Sequence, residues 1–344
     1  MGISAEGDRA AMPEPPDETV GEALRMSGTP TTAASHPGPD RKRIKLVYIL
    51  GEYRSGSTIL SVLLSADPSV CSTGELRTLP EKFWTTTRPC SCGEAPLACP
   101  FWSKVYAACD GRVDLHKLAA GAHRYESYRS IPRLFFARLI GSKQLDDHAR
   151  RFAEFLRVIA ETRGQNVVVD TSKDPVRGFV SSRTAKYGLD IYYVHTVRDG
   201  RAVAHSRTNR PYGGTYPHEE LTRSAWNFAL RWSIVNFLAV VFCSRPRERY
   251  HVVRYEDLVA DPGGVMRRLG RFLGLDPEAL SRPLEREESF AMPHLIAANR
   301  FRFTPTVKFR PDLDWRSKVS RRDQLIFWGL AGWLALLFGY RFRG

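Results

Sequence analysis

Residues 46–65 read LVYILGEYRSGSTILSVLLS, and this stretch decides the fold. Leu46-Val47-Tyr48-Ile49-Leu50 is a short apolar run rich in β-formers, Gly51 to Thr58 is a polar loop, and Ile59–Leu64 resumes as an apolar helix. A strand, a tight loop and a helix start present unpaired backbone N–H groups and the positive end of the helix dipole to an anion. Gly56 lets the backbone approach that anion, and Ser57 and Thr58 are placed to cap the helix and donate hydroxyls. Gly51 and Gly56 have the spacing of the nucleotide-triphosphatase loop G-x-x-x-x-G-K-[ST], but Ser57 stands where that loop has Lys. In that loop the Lys reaches the β/γ-phosphates and the next hydroxyl holds magnesium. Here Arg54 is the only cation inside the loop, which weakens an ATP reading.

Outward from the loop, later segments repeat the strand-then-polar-loop pattern. Val70–Arg77 reads as a second strand ending in a polar loop, Val167-Val168-Val169-Asp170 as a buried strand running into Thr171-Ser172-Lys173-Asp174-Pro175, and Asp190–Val197 as another before Arg198-Asp199-Gly200-Arg201. Tyr250–Tyr255 is a further strand, and Asp261-Pro262 opens a helix through Leu273. Strands alternating with helices imply an α/β fold, with functional loops at the carboxyl ends of a parallel sheet. Residues 84–103 are turn-rich and bear cysteines, and the next sixty are mostly helical, ending in an amphipathic helix from Leu145 to Thr162. The block from about 84 to 160 reads as a helical insertion covering the pocket. Arg223–Cys243, interrupted by Arg231 and Asn236, reads as a core helix rather than a membrane span. The last helix, about Arg321 to Gly339, is expected to pack on the sheet, with weak interfacial membrane contact as the alternative.

Composition bounds the function. With 344 residues and 43% hydrophobic content the chain supports a sizeable core. An excess of 51 Lys+Arg over 37 Asp+Glu, a net charge of +14, favours anionic ligands. No nucleic-acid-binding signature accompanies the charge, so a nucleotide pocket is expected rather than nucleic acid. Residues 1–43 are rich in Pro, Gly, Ser, Thr and acids and read as a disordered tail before a domain spanning 44–344. Without a signal-peptide or myristoylation pattern at this start, the expected location is cytoplasmic. The six cysteines are too few for a disulfide framework in a chain of this length. Cys90, Cys92 and Cys99 cluster locally. They read first as a structural turn or redox pair, and second as a zinc knuckle with Cys109 as fourth ligand, because C-x-C-x6-C-x9-C fits no standard zinc spacing.

Three ordered motifs, Arg54-Ser55-Gly56-Ser57-Thr58, Val197–Ser206 and Arg254–Pro262, resemble those of sulfotransferases that use 3′-phosphoadenosine-5′-phosphosulfate, over roughly Lys45 to Tyr340. The resemblance implies a P-loop-like parallel sheet flanked by helices, with the donor's 5′-phosphosulfate held by Arg54, Ser55, Gly56, Ser57 and Thr58. It puts the 3′-phosphate on Arg198 and Ser206, and a loop closing over the nucleotide at Asn299–Arg302, through Arg300 and Arg302. The physics is compatible: a bisphosphorylated nucleotide has two separated anionic ends, and the chain offers two separated anion sites at helix starts, one containing Arg54 and one containing Arg198. Sulfonate bears less charge than a γ-phosphoryl group, so side-chain cations suffice and no metal is required.

Transfer to a hydroxyl also needs a base and a cation on the leaving side. Thr73-Gly74-Glu75-Leu76-Arg77 is similar to the Gly-Glu pair of the protein-tyrosine and several bacterial sulfotransferases, which implies Glu75 as base. Burial beside the donor would make Glu75 more basic, while Arg77 and Arg54 would make it less so. Lys173 resembles the lysine that steadies the departing oxygen. Against these roles stand ordinary ion pairs, Glu75 with Arg77 and Lys173 with Asp174. His195 reads as a core histidine, His205 as a solvated or packing residue, and Glu256 or Asp257 as braces of neighbouring loops. The rival readings are a P-loop kinase, in which Asp170 would hold magnesium, and a nucleotide-binding module without chemistry. The nature of the hydroxyl acceptor, whether sugar, peptide tyrosine, lipid or small metabolite, is open at this level, and so is the oligomeric state.

Overall fold

The computed structural model describes residues 43–78, 89–208, 224–297, 303, 306–307 and 318–342. The tail up to residue 42 and the pair Arg300 and Arg302 lie outside the described residues. Five strands, β1 (Ile44–Leu50), β2 (Val70–Gly74), β3 (Val167–Lys173), β4 (Leu189–Val197) and β5 (Tyr250–Arg254), form one parallel sheet in the order β2-β3-β1-β4-β5. β1 lies at the centre. Its uninterrupted apolar run follows from burial on both faces. Leu46, Tyr48 and Leu50 enter one hydrophobic cluster, and Val47 and Ile49 enter the other, as the two-residue period of a strand requires.

One face is covered by α1 (Ser57–Leu64) and, further along the chain, by a helix from Pro262 to Leu273, through Leu60, Leu63, Met266 and Leu269. The other is covered by helices between β2 and β3, namely α2 (Trp102–Cys109), α3 (Leu115–Tyr125) and α5 (Lys143–Arg163), while α4 (Ile131–Ile140) packs through Leu134 and Ala137 in a separate cluster with Tyr125, Leu145, Val176 and Val180. α5 buries Phe152, Phe155, Leu156 and Ile159 on one stripe and ends on Gly164 in the left-handed region. A buried ionic chain ties this block to the sheet. Glu126 accepts from His148 Nε2 at 2.8 Å and from Arg177 Nη1, and Arg177 Nε reaches Asp170 Oδ2 at 3.4 Å, all in side chains at most 2% exposed.

After β3 come α6 (Pro175–Ser181), α7 (Gly200–Thr208) beyond β4, and α8 (Ala225–Cys243). α9 (Tyr255–Ala260), α10 (Pro262–Leu273) and α11 (Pro277–Glu285) follow β5. α11 was not expected, although Asp276-Pro277 is a readable start, with the Asp276 carboxylate accepting from the Glu278 N–H. The two-residue strands β6 (Phe290–Ala291) and β7 (Thr306–Val307) pair with each other. α12 (Arg321–Leu337), expected to pack on the sheet, reaches the sheet at Val197 and packs otherwise on α7 and α8. α8 is long and apolar enough to cross a membrane. One side of it buries Phe228, Trp232, Asn236 and Cys243 within the fold, while Trp226, Leu230, Ile234, Phe237 and Val241 are exposed, so the core helix expected from Arg231 and Asn236 is only half covered.

Candidate active site

The carboxyl ends of β1, β3 and β4 converge on the loop of residues 51–56. Gly51, at φ 135°, has no room for a side chain, since a Cβ there would lie 2.2 Å from the Thr196 carbonyl oxygen of β4. Its N–H donates to the Lys173 carbonyl of β3 at 3.2 Å. Ser55 and Thr196 hydroxyls share a hydrogen bond of 2.8 Å, fastening the loop to β4. Gly56, at φ 93°, is the residue before α1, and a Cβ on it would strike the Tyr255 ring. Ser57 and Thr58 are expected to cap this helix; they instead occupy its buried first turn, its N-cap is Gly56, and among the described residues no side chain caps it. The start of a helix without a side-chain cap is a place where N–H groups can meet an anion.

Two loop and strand-end cations occupy left-handed backbone, Arg54 at φ 71° and Lys173 at φ 67°. For residues other than glycine this conformation costs about 1–2 kcal/mol, and such strain concentrates at functional sites. Lys173 Nζ donates to Glu75 Oε1 at 2.5 Å and to the Thr171 carbonyl at 3.0 Å, with the Tyr53 ring 5.2 Å away. Glu75 follows β2, which ends at Gly74 (φ 82°), so the stretch Val70–Arg77 divides into a strand and the polar loop expected after it. Arg77 turns away and pairs with Asp174 Oδ2 at 2.6 Å. The two ordinary ion pairs anticipated from sequence are thus crossed: Glu75 pairs with Lys173 and Arg77 with Asp174.

Asp170 is fully buried. It accepts from Ser172 N–H at 2.9 Å, from the Ser172 hydroxyl and from Leu76 N–H at 3.2 Å, besides Arg177. These bonds fix the turns that carry Lys173 and Glu75, and they engage the carboxylate that a kinase would turn toward magnesium.

Arg198, 5% exposed, donates from Nη1 to the Arg54 carbonyl at 3.3 Å and stacks 4.3 Å over the Tyr255 ring. Arg198, expected in a second and separate anion site, therefore lies against the first loop rather than apart from it. Nor is that site a bare helix end. Asp199 Oδ1 accepts from Arg201 N–H at 2.9 Å, and Asp199 N–H donates to Glu256 Oε1 at 3.0 Å, so the start of α7 is already engaged. Glu256 also accepts from Tyr340 at 2.7 Å, which makes it the brace anticipated from sequence. Ser206 lies on α7 and is 8% exposed.

His195 is fully buried between the Tyr250 hydroxyl at 2.6 Å and Asn236 Oδ1 at 2.8 Å. Burial lowers its pKa to about 4, so it is a neutral core histidine, as read from sequence. Residues missed by sequence reasoning are Tyr53, Glu52 and Arg231. Arg231 of α8 pairs with Glu52 at 3.1 Å and lies 5.3 Å from the Tyr53 ring. Its one signal was an arginine inside an apolar helix.

A sequence model described as the Sulfotransferase family matches residues 47–279, which contain the loop, both crossed ion pairs and Arg198. The chain belongs to the sulfotransferase family. None of the curated proteins matches it at a significant level. Among solved structures, this sulfotransferase is similar to the sulfotransferase domain of the Synechococcus PCC 7002 olefin synthase (23% identity, 89% of this chain and 99% of that one, TM-score 0.45). It is also similar to a sulfotransferase domain from the curacin biosynthetic pathway (17% identity, 87% and 99%, TM-score 0.45) and to a sulfotransferase from Mycobacterium avium (16%, 86% and 78%, TM-score 0.44).

Proposed function

We propose that this sulfotransferase moves the sulfuryl group of 3′-phosphoadenosine-5′-phosphosulfate to a hydroxyl acceptor by in-line transfer without a catalytic metal. The observation that carries this reading is the 2.5 Å contact between Glu75 and Lys173, next to the loop that leads into the uncapped start of α1. Glu75 is the base. Its carboxylate takes the acceptor's hydroxyl proton as the acceptor oxygen forms a bond to sulfur, and the bond between sulfur and the bridging phosphate oxygen breaks. The electron pair of that bond stays on the bridging oxygen, where adenosine 3′,5′-bisphosphate gathers negative charge. Lys173 has three N–H donors, of which Glu75 and the Thr171 carbonyl occupy two, so the third serves that oxygen. As Glu75 becomes protonated it holds the ammonium less strongly, and more of the Lys173 charge acts on the leaving group. Base and leaving-group cation are coupled through one hydrogen bond.

The 5′-phosphosulfate is assigned to Arg54, Ser55, Gly56, Ser57 and Thr58, and the 3′-phosphate to Arg198 and Ser206. Arg300 and Arg302 are assigned to closing over the nucleotide on their sequence match. The kinase reading loses ground because Asp170 is engaged internally and Ser57 replaces the loop lysine.

The test is transfer of radiolabelled sulfate from the donor into an acceptor found by screening cell extracts, with Glu75→Gln as the variant. Turnover is expected to fall about 10²- to 10⁴-fold while adenosine 3′,5′-bisphosphate affinity is retained. Unchanged turnover would remove Glu75 from the role of base.

A further inference from the structure

The cysteine-bearing turn before α2 acquires a partner that no sequence spacing reveals. Cys90, Cys92, Cys99 and His294 bring one ligand atom each to within 4.8 Å of one another. His294 Nδ1 lies 3.3 Å from Cys99 Sγ and 3.7 Å from Cys90 Sγ. A tetrahedral zinc with Zn–S of about 2.3 Å and Zn–N of about 2.0–2.1 Å sets its sulfur and nitrogen ligands about 3.6 Å apart. The observed distances straddle that figure. Cys109, the fourth ligand considered from sequence, is buried in the core and outside the group.

Backbone hydrogen bonds assemble the four side chains. Gly93 N–H donates to the Cys90 carbonyl at 2.9 Å and Cys90 N–H to the Glu94 carbonyl at 2.8 Å, folding Cys90-Ser91-Cys92-Gly93 into a tight turn. Cys99 is set by its own N–H bond to Ala95 at 2.8 Å. The strip carrying His294 is then sewn on: Ser91 N–H donates to the Leu295 carbonyl at 3.1 Å, Leu295 N–H to the Ser91 hydroxyl at 2.9 Å, and Trp102 Nε1 to the His294 carbonyl at 3.0 Å. Cys90 and Cys99 are fully buried, whereas Cys92 is exposed and gives an ion a way in.

We infer that Cys90, Cys92, Cys99 and His294 form a structural zinc site. Three soft sulfurs and one imidazole select zinc over magnesium or calcium. Binding releases the three thiol protons to solvent and leaves three thiolates and a neutral imidazole on Zn²⁺, a complex of net charge −1. All four positions are filled by protein, so no open position remains for substrate, and the role is structural. A disulfide would use two of the thiols and strand the third together with the histidine. The place of the site gives its purpose. Two residues after His294, Ile296 N–H donates to the Thr73 carbonyl at 3.0 Å and its carbonyl accepts from Glu75 N–H at 2.9 Å. The zinc thus clips the start of the insertion to the strip that braces the end of β2, at the residue proposed as the base.

The test is metal analysis of the full chain, purified without a histidine tag under reducing conditions, followed by replacement of the metal with cobalt. About one zinc per chain is expected. The cobalt form is expected to show thiolate-to-cobalt charge transfer and the intense visible bands of tetrahedral cobalt. Cys92→Ser, at the exposed ligand, and His294→Gln are expected to lose zinc to a competing chelator that leaves wild type loaded, while Cys109→Ser keeps its zinc. The wild-type cobalt spectrum decides even if a variant misfolds. Failure of the reduced protein to take up zinc, weak six-coordinate cobalt bands, iron in place of zinc, or a disulfide among the three cysteines in metal-free protein would each overturn the site.

Discussion

Lys173 shows how much of the proposed chemistry rests on single side chains. It sits in left-handed backbone, contacts Glu75 and faces the Tyr53 ring, so three features of the site meet at one ammonium group. Sequence motifs pick out both Lys173 and Glu75, and the ion pairs weighed against their catalytic roles, with Asp174 and Arg77, are not the ones they form. Only the turn at Gly74, where a Cβ would fall 2.3 Å from the Ile296 carbonyl, brings Glu75 to Lys173 and sends Arg77 to Asp174. Arg198 is the other residue on which the assignment depends. Arg198→Ala is expected to weaken adenosine 3′,5′-bisphosphate by about 1.5–3 kcal/mol, or roughly 10- to 150-fold, and to leave adenosine 5′-phosphate nearly unchanged. Calorimetry on both ligands reads this directly, and equal losses would reject the 3′-phosphate contact. His294 was illegible for a different reason: it lies 195 residues beyond Cys99 in sequence, and no local pattern joins them.

Among the elements, the starts of α1 and α7 divide the work differently than expected. Among the described residues no side chain caps α1, so in the proposed reading its N–H groups serve the ligand, whereas α7 is already engaged by Asp199 and Glu256 and the Arg198 side chain would act by its own charge. Strand and helix periodicity made the sheet, α5 and α8 readable. It could not register the ionic chain from His148 through Glu126 and Arg177 to Asp170, which links α5, the end of α3, α6 and β3 across long sequence separations. Arg177→Ala leaves two buried carboxylates without their cation and is expected to cost about 3–5 kcal/mol. Urea unfolding measures this as a lower midpoint, and a cost under about 1 kcal/mol would show that the network is replaceable. Because Asp170 also holds the turns before Lys173 and Glu75, this network is one mechanical link between insertion and site.

For the whole molecule, the parallel sheet with loops gathered at its carboxyl edge was legible from one stretch, since a strand buried on both faces has few alternatives. The docking of α12 on α7 and α8 was not, because an apolar helix face does not state its partner. Stability as a function of pH is also a property of the whole chain. His195 binds its proton near pH 4 when folded and near 6.5 when unfolded. Between these values the unfolded chain binds more protons, so stability falls as pH drops, by about 2–3 kcal/mol from 6.5 to 4.5. His251, also lowered by burial, acts in the same sense. Unfolding at a series of pH values should show this slope, and His195→Gln should flatten it; an equal slope in the variant would place the proton elsewhere. The central claim, a phosphate loop without its lysine that serves a sulfuryl donor, is tested most directly by calorimetric titration with adenosine 3′,5′-bisphosphate in buffer free of magnesium and of strong chelator. The account predicts saturable one-to-one binding that added magnesium does not strengthen, and weaker binding of ATP. Absence of bisphosphate binding, or a magnesium-dependent preference for ATP, would contradict it.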